Sequence, residues 1–171
     1  SAVARGTSFL KDQLNKGIFS SDINIIDDPH RPRGLRSKPF DGEGLENKEI
    51  YLVQNGILTS WLLDLASSRQ LGLNSNGRAS RGLSAPPNPS PTNMYLEAGR
   101  LTPEKLIEDI SSGFYITSLM GMGVNGVTGD YSRGASGFWI ENGEITFPVT
   151  EMTIAGNLNQ MYQRLVPAND L

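Results

Sequence analysis

Residues 120–158, MGMGVNGVTGDYSRGASGFWIENGEITFPVTEMTIAGNL, hold seven glycines within the 23 residues from Gly121 to Gly143. Glycine loses more backbone freedom on folding than any other residue, so such a cluster indicates positive φ angles or close approach by another chain or a ligand. The segment FWIE-NG-EITF that follows has the Asn-Gly pair typical of a tight hairpin turn. We therefore predict an irregular, ligand-facing loop in the first half of the stretch and a β-hairpin in the second.

A polar cluster inside these glycines supplies the candidate binding site. Asp130 and Arg133 could form an ion pair that fixes the loop, or the backbone there could pair with an extended peptide by strand addition. A β-bulge or a tight corner in a sheet is the structural alternative. The candidate peptide- or partner-binding residues are Gly121, Gly123, Asn125, Gly126, Gly129, Asp130, Ser132, Arg133 and Gly134.

The first three of these glycines also match the pattern G-x-G-x-x-G after a predicted strand. A dinucleotide site needs a helix immediately afterwards, because the N-terminus of that helix holds the pyrophosphate. Gly129, Gly134 and Gly137 argue against such a helix, so we expect no nucleotide site here.

Composition excludes several other classes of function. The chain has a net charge of −3, so no basic field is available to hold nucleic acid. It has no cysteine, hence no disulfide framework, thiolate metal site or cysteine nucleophile. No apolar run is long enough to span a bilayer. We expect a cytoplasmic protein that binds neither nucleic acid nor membrane, and, because Ser1 is not a start methionine, a fragment of a longer chain.

Two further places could carry chemistry. His30, the only histidine, lies between Asp28-Pro29 and Arg31-Pro32, and could ligate a metal with Asp27 and Asp28. Neither an H-E-x-x-H spacing nor a cysteine accompanies it, so we favour a loop-packing role. Asp41 and Glu43 could hold a hard cation or perform acid–base catalysis, but an acidic turn is the simpler interpretation. No catalytic or metal-binding residue is predicted in this chain.

Local patterns predict an α+β domain with a mainly antiparallel sheet, which could curl into a partial barrel, and three or four short helices. Residues 73–93 are rich in Asn, Ser, Gly and Pro, and we predict a mobile surface loop there, although Arg78 and Arg81 could contact an acidic group. The predicted helices are 7–16, 64–71, one opening at Thr102-Pro103-Glu104, and 158–165. The predicted strands are 23–26, the Asn55-Gly56 hairpin within 48–63, 94–96, 114–119, the FWIE-NG-EITF hairpin and 149–154.

Four segments together resemble the C-terminal domain of the TldD/PmbA family, on its PmbA (TldE) branch. The resemblance covers nearly all 171 residues in order. The segments are DDPHRPRGLRSKPFDGEG (27–44), QNGILTSWLLDLASSRQLGL (54–73), TPEKLIEDI (102–110) and VTGDYSRGASGFWIENGEITFPVTEMTIAGNL (127–158).

The resemblance implies a longer protein with an N-terminal domain before this region and a pattern that continues a little beyond Leu171. TldD-like subunits are zinc metalloproteases, with an HExxxH helix upstream of the matched region and a cysteine ligand downstream of it. PmbA/TldE-like subunits share the fold but lack the metal ligands, and they pair with TldD in a protease that trims or degrades small unfolded peptides. This chain contains neither HExxxH nor Cys.

We therefore expect a non-catalytic domain that binds extended peptides and a TldD-like partner, with zinc in that partner and a homodimer as a further form in isolation. The alternative is a support domain in a subunit that is itself a metalloprotease, with its zinc ligands outside these residues. A modulator that binds DNA gyrase or nucleic acid is disfavoured, because the chain is acidic and has no basic stripe.

Overall fold

The computed structural model describes all residues from 1 to 171. The chain divides into two compact units, Ser1–Glu97 and Ala98–Leu171. No helix combines the length and the apolar character that a membrane crossing would require.

Nine strands and three short helices follow one another along the chain. In order they are β1 Ile25–Asp28, β2 Ile50–Gln54, β3 Ile57–Leu58, α1 Leu65–Leu71, β4 Ala79–Ser80, β5 Asn88–Pro89, β6 Asn93–Leu96, α2 Pro103–Glu108, β7 Ser112–Met120, β8 Asp130–Glu141, β9 Glu144–Asn157 and α3 Leu158–Gln163.

The first unit is built on a four-stranded antiparallel sheet in the order β3-β2-β1-β6, beside the small pair β4-β5. Asn55 and Gly56 join β2 to β3 with φ values of 49° and 77°, which confirms the predicted turn. The core of this unit consists of Ile18, Ile23, Val53 and Leu58, with Leu10, Phe19, Ile25, Trp61 and Leu96 packed against it.

The second unit is a three-stranded antiparallel meander, β7-β8-β9. Asn142 and Gly143 turn β8 into β9 with φ values of 51° and 81°, which confirms the second predicted hairpin. The α+β class and the antiparallel pairing are confirmed, and both larger sheets are open, so no barrel closes.

The predicted starts of α1 and α2 and the predicted end of α1 are confirmed. The side chain of Asp64 accepts from the Ser67 N–H at the start of α1, and Gly72 ends that helix in the left-handed region. Thr102 caps α2 with Pro103 in the first turn, and this helix ends at Glu108.

Two predictions were wrong, the helix 7–16 and the extent of the irregular loop. Residues 7–16 form successive turns instead of a helix, because the Asn15 N–H donates to the Leu58 carbonyl at 2.7 Å and ties the segment to β3. Gly134 and Gly137 lie inside β8, so the irregular loop is shorter than predicted. The predicted strand 149–154 is confirmed, as part of the single 14-residue strand β9.

The segment 73–93 is not without structure, as the loop prediction implied, although residues 80–86 are exposed. It contains β4 and β5, and Arg78 within it is fully buried. The Arg78 Nε donates to the Asp27 carboxylate, and the Nη atoms donate to the carbonyls of Asp27, Lys48 and Asn76. Asp27 also accepts from the N–H and hydroxyl of Thr92 at 2.7 and 2.9 Å. This buried cluster orders the segment.

Candidate functional site

The candidate site lies on the connection between β7 and β8, residues 121–129, which we call the glycine loop. Gly121 opens it with a φ of 78° and Gly129 closes it with a φ of 81°. A residue with a side chain rarely adopts such angles, which explains the glycine at both ends. No helix follows Gly126, so the helix whose N-terminus would hold a pyrophosphate is absent, as predicted.

The inner edge of the glycine loop is hydrogen-bonded to the beginning of β8. The Ser132 N–H donates to the Gly123 carbonyl at 2.7 Å, and the Asn125 N–H donates to the Asp130 carbonyl at 2.8 Å. These bonds frame an antiparallel bridge between Val124 and Tyr131. The approach is so close that a Cβ on Gly123 would lie 1.5 Å from the Ser132 carbonyl oxygen. The loop therefore acts as a short extra strand at this end of the sheet.

Side chains fix the rest of the loop. The Asn125 Oδ1 accepts from the N–H groups of Val127 and Thr128 at 3.0 and 3.3 Å. The Asp130 carboxylate accepts from the Thr128 hydroxyl at 2.6 Å and from the Asn157 amide at 3.1 Å. These two hydrogen bonds, that of Thr128 first, lower the pKa of Asp130, because they stabilise its charged form.

The predicted ion pair between Asp130 and Arg133 does not form. The two residues are separated along β8, and their side chains have different partners: Arg133 Nη2 donates to the Leu119 carbonyl at 3.4 Å. The Arg133 Nε is buried without a hydrogen-bond partner. Arg133 therefore contacts β7 through the Leu119 carbonyl, while Asp130 holds the loop through Thr128 and Asn157.

The outer edge of the glycine loop faces solvent. The backbone N–H and C=O groups of Met122 and Val124 have no hydrogen-bond partner, and the two side chains are 103% and 56% exposed. Beside them lies an open depression of about 550 Å³, lined by Met122, Gly123, Val124, Asn125, Gly126, Asp130, Tyr131 and Ser132.

The structure brings five of the nine predicted site residues to this depression. These are Gly123, Asn125, Gly126, Asp130 and Ser132. The other four shape its surroundings: Gly121 and Gly129 end the loop, and Arg133 and Gly134 lie further along β8. Sequence reasoning missed Met122, Val124 and Tyr131, although apolar residues alternating with glycines are the available signal.

The other candidate residues have structural partners. His30 Nε2 lies 3.0 Å from Asn47 Oδ1. Asp41 opens a turn, as predicted, and its buried carboxylate accepts from the N–H groups of Glu43, Leu45 and Ala79. Glu43 Oε2 accepts from the Leu65 N–H at 2.9 Å. Across the chain, no three His, Cys, Asp or Glu side chains cluster in a way that could hold a metal ion.

The class of protein to which these open sheets, NG hairpins and glycine loop belong follows from comparison with known families. A family model described as the PmbA/TldA metallopeptidase C-terminal domain matches residues 1–171, and the chain belongs to this family.

Two relatives illustrate the similarity in sequence. Metalloprotease PmbA of Escherichia coli O157:H7 is 43% identical over 171 residues, which cover 99% of this chain and 36% of the relative. The Metalloprotease PmbA homolog of Haemophilus influenzae is 43% identical over 166 residues, which cover 97% of this chain and 35% of the relative. The chain thus spans about a third of the length of these proteins.

Two solved structures show the same fold. TldE from Thermococcus kodakarensis superposes with a TM-score of 0.84 at 27% identity, over 95% of this chain and 37% of that one. A Thermotoga maritima protein described as a "putative modulator of a DNA gyrase" superposes with a TM-score of 0.86 at 34% identity, over 99% of this chain and 39% of that one. Both likenesses therefore extend over almost the whole of this chain.

Proposed function

We propose that this domain is the non-catalytic, substrate- and partner-binding part of a PmbA/TldE-type subunit. The subunit pairs in the cytoplasm with a TldD-like zinc metalloprotease, and the pair processes or degrades small unfolded peptides. Zinc belongs to the partner in this proposal. The observation that carries it is the outer edge of the glycine loop, where the backbone of Met122 and Val124 is unpaired and exposed.

Such an edge suits an extended peptide. Main-chain hydrogen bonds supply affinity without regard to side chains, which a protease acting on varied peptides needs. The depression beside Gly126 offers room for a peptide side chain next to the exposed Met122 and Val124. Five of the predicted site residues, Gly123, Asn125, Gly126, Asp130 and Ser132, would line that contact.

The sheet of the second unit supports the pairing with another subunit. β7 and β9 each pair only with β8, so both outer edges of the sheet are open. Large apolar side chains on these strands remain exposed, among them Tyr115, Leu119, Ile145 and Phe147. Exposed apolar patches of this kind mark protein–protein contacts. The TldD-like subunit would cover this surface, and in isolation a second copy of the same subunit would do so.

The test of peptide binding is a proline substitution at the outer edge. Val124→Pro removes an N–H that has no partner in the free domain, so the fold should tolerate it, whereas an added peptide strand would lose a hydrogen bond. We expect at least about a tenfold loss of affinity for an unstructured peptide, measured by fluorescence anisotropy on the full-length subunit with its TldD-like partner.

Val124→Thr is the matched control, because it keeps the N–H and the branched shape. Equal affinity of Val124→Pro and Val124→Thr would remove the glycine loop from the peptide site.

The alternative is a subunit that is itself the metalloprotease, with this domain as support. One relative supports this alternative, because it is named Metalloprotease PmbA. This chain spans 36% of that relative. Metal analysis of the full-length subunit, alone and with its TldD-like partner, decides between the two. Stoichiometric zinc in the subunit alone, with peptide cleavage, would establish the alternative.

A further inference from the structure

A second surface, in the first unit, carries an inference of its own. Residues 29–40, PHRPRGLRSKPF, which we call the basic loop, contain three arginines and one lysine but no Asp or Glu. The chain as a whole is acidic, with a net charge of −3. None of these four cations lies within 4.0 Å of a carboxylate, although three ion pairs form elsewhere in the chain. The four positive charges of the basic loop are therefore not paired with any carboxylate.

The basic loop has a fixed conformation. Asn93 holds it from β6: its amide donates to the Asp28 carbonyl at 2.7 Å and to the Ser37 hydroxyl at 2.9 Å, and its Oδ1 accepts from the Arg36 N–H at 3.0 Å. Gly34 approaches so closely that a Cβ there would lie 2.7 Å from the Asn93 Oδ1. Asn93 thus presents the arginines on a preorganised backbone.

The cations around this loop differ in what they contact. Arg31 lies over the Tyr95 ring at 4.7 Å, and Arg36 donates to the Ser90 hydroxyl at 3.3 Å. Lys38 donates to the Ala79 carbonyl at 3.2 Å. Arg33 has no hydrogen bond or ion pair, is exposed, and adopts a φ of 58°, which costs a residue with a side chain energy. The Arg33 guanidinium is therefore free to contact a ligand.

Beside the arginines lies an open depression of about 560 Å³ whose lining includes Arg31, Arg33, Arg36, Leu35 and Met94. Leu35 is 102% exposed and Met94 51% exposed. Guanidinium groups bind carboxylates with paired N–H donors, and an apolar rim suits the side chain next to an acidic residue.

We propose that the basic loop binds an extended acidic peptide segment, with Arg33 and Arg36 on its carboxylates and Leu35 and Met94 on an apolar neighbour. An acidic peptide is expected because its carboxylates complement the positive charge of the loop. The exposed Leu35 and Met94 suit an apolar side chain, which a free anion does not have. This proposal does not rest on strand addition at the glycine loop, since an uncharged peptide would satisfy that loop and fail here.

The test uses the full-length subunit and a fluorescent, unstructured peptide of Glu, Ser and Leu, with the matching Gln, Ser and Leu peptide as the uncharged probe. The variant is Arg33→Asn with Arg36→Gln, because Asn tolerates the left-handed φ and both changes remove a guanidinium charge while keeping a polar side chain. The control is Arg5→Gln with Arg69→Gln, which removes two exposed charges elsewhere in the same unit.

We expect the acidic peptide to bind the wild type and the control at least about tenfold more tightly than the variant. Raising the ionic strength from about 0.05 M to about 0.5 M should remove most of that difference. Equal affinity of variant and control, or of the two peptides for the wild type, would overturn the proposal. So would complete displacement of the peptide by millimolar inorganic phosphate, or tighter binding of single-stranded nucleic acid, because either result makes the loop a general anion site.

Discussion

The two compact units of this chain use their apolar residues in opposite ways. Eight of the ten buried apolar residues that form the core lie in the first unit, and only Ala135 and Ile140 lie in the second. The second unit nevertheless has the longest strands, with 9, 12 and 14 residues in β7, β8 and β9. Its apolar side chains are mostly on the surface.

This difference suggests different roles for the apolar residues: those of the first unit stabilise the fold, and those of the second unit form the proposed contact surface. The first unit is held by a packed core and by a buried charge cluster, both of which cost much free energy to disturb. The second unit has few buried apolar residues and is held mainly by the backbone ladder of its meander, and its exposed apolar side chains are the surface that the proposed contact with another subunit would cover. The predictions below test that division.

The largest expected effect is at the buried charge cluster. Arg78→Ala leaves the carboxylate of Asp27 buried without its cation, so we expect the free energy of unfolding to fall by about 3–5 kcal/mol. Urea unfolding monitored by circular dichroism measures it. Arg81→Ala, at an exposed arginine three residues on, should change the free energy by about 0.5 kcal/mol at most. Similar losses for both variants would contradict the assignment of Arg78 as the ordering residue of 73–93.

The next effect compares one apolar residue from each unit. Ile23 is fully buried, so Ile23→Ala should lower the free energy of unfolding by about 2–5 kcal/mol. Phe147 is 50% exposed, so Phe147→Ala should cost about 1 kcal/mol or less, although it removes a larger side chain. The same denaturant titration measures both, and a pull-down with the TldD-like partner measures assembly.

We expect Phe147→Ala to weaken assembly with the proposed partner. Ile23→Ala should not weaken it in conditions where the variant is still folded. If Phe147→Ala destabilised the free subunit as much as Ile23→Ala, the apolar surface of the second unit would belong to its own folded core. Our division of the molecule would then fail.

Local chemistry made much of the fold predictable. The Asn-Gly turns at 55–56 and 142–143 need positive φ angles, and the caps at Asp64 and Thr102 satisfy the first free N–H groups of their helices. Each of these signals lies within a few residues of its effect. The resemblance to the TldD/PmbA family was likewise visible in contiguous motifs, and the family match over residues 1–171 confirms it.

What could not be predicted depends on partners distant in sequence. Arg78 binds an aspartate 51 residues earlier, and nothing near Arg78 distinguishes it from the exposed Arg81. The same limit applies to the candidate site. The glycines of 121–129 were visible, but their pairing with β8 was not, so the free edge at Met122 and Val124 and the separate roles of Asp130 and Arg133 emerged only from the structure.

The smallest effect concerns the loop brace at Asp130. Hydrogen bonds from Thr128 and Asn157 lower the pKa of Asp130, so the folded state favours the charged carboxylate. A depressed folded pKa contributes stability above the unfolded value and loses it as the pH falls through the folded value, here below about pH 4.

We expect the NMR signals of the Thr128 and Asn157 side chains to shift with a midpoint below that of an unperturbed aspartate. Asp130→Asn should abolish this titration and leave the sheet signals in place. A midpoint at or above about 4 would show that the brace is not formed in solution. The edge at Met122 and Val124 would then be held by the backbone hydrogen bonds to β8 without the help of the Asp130 carboxylate.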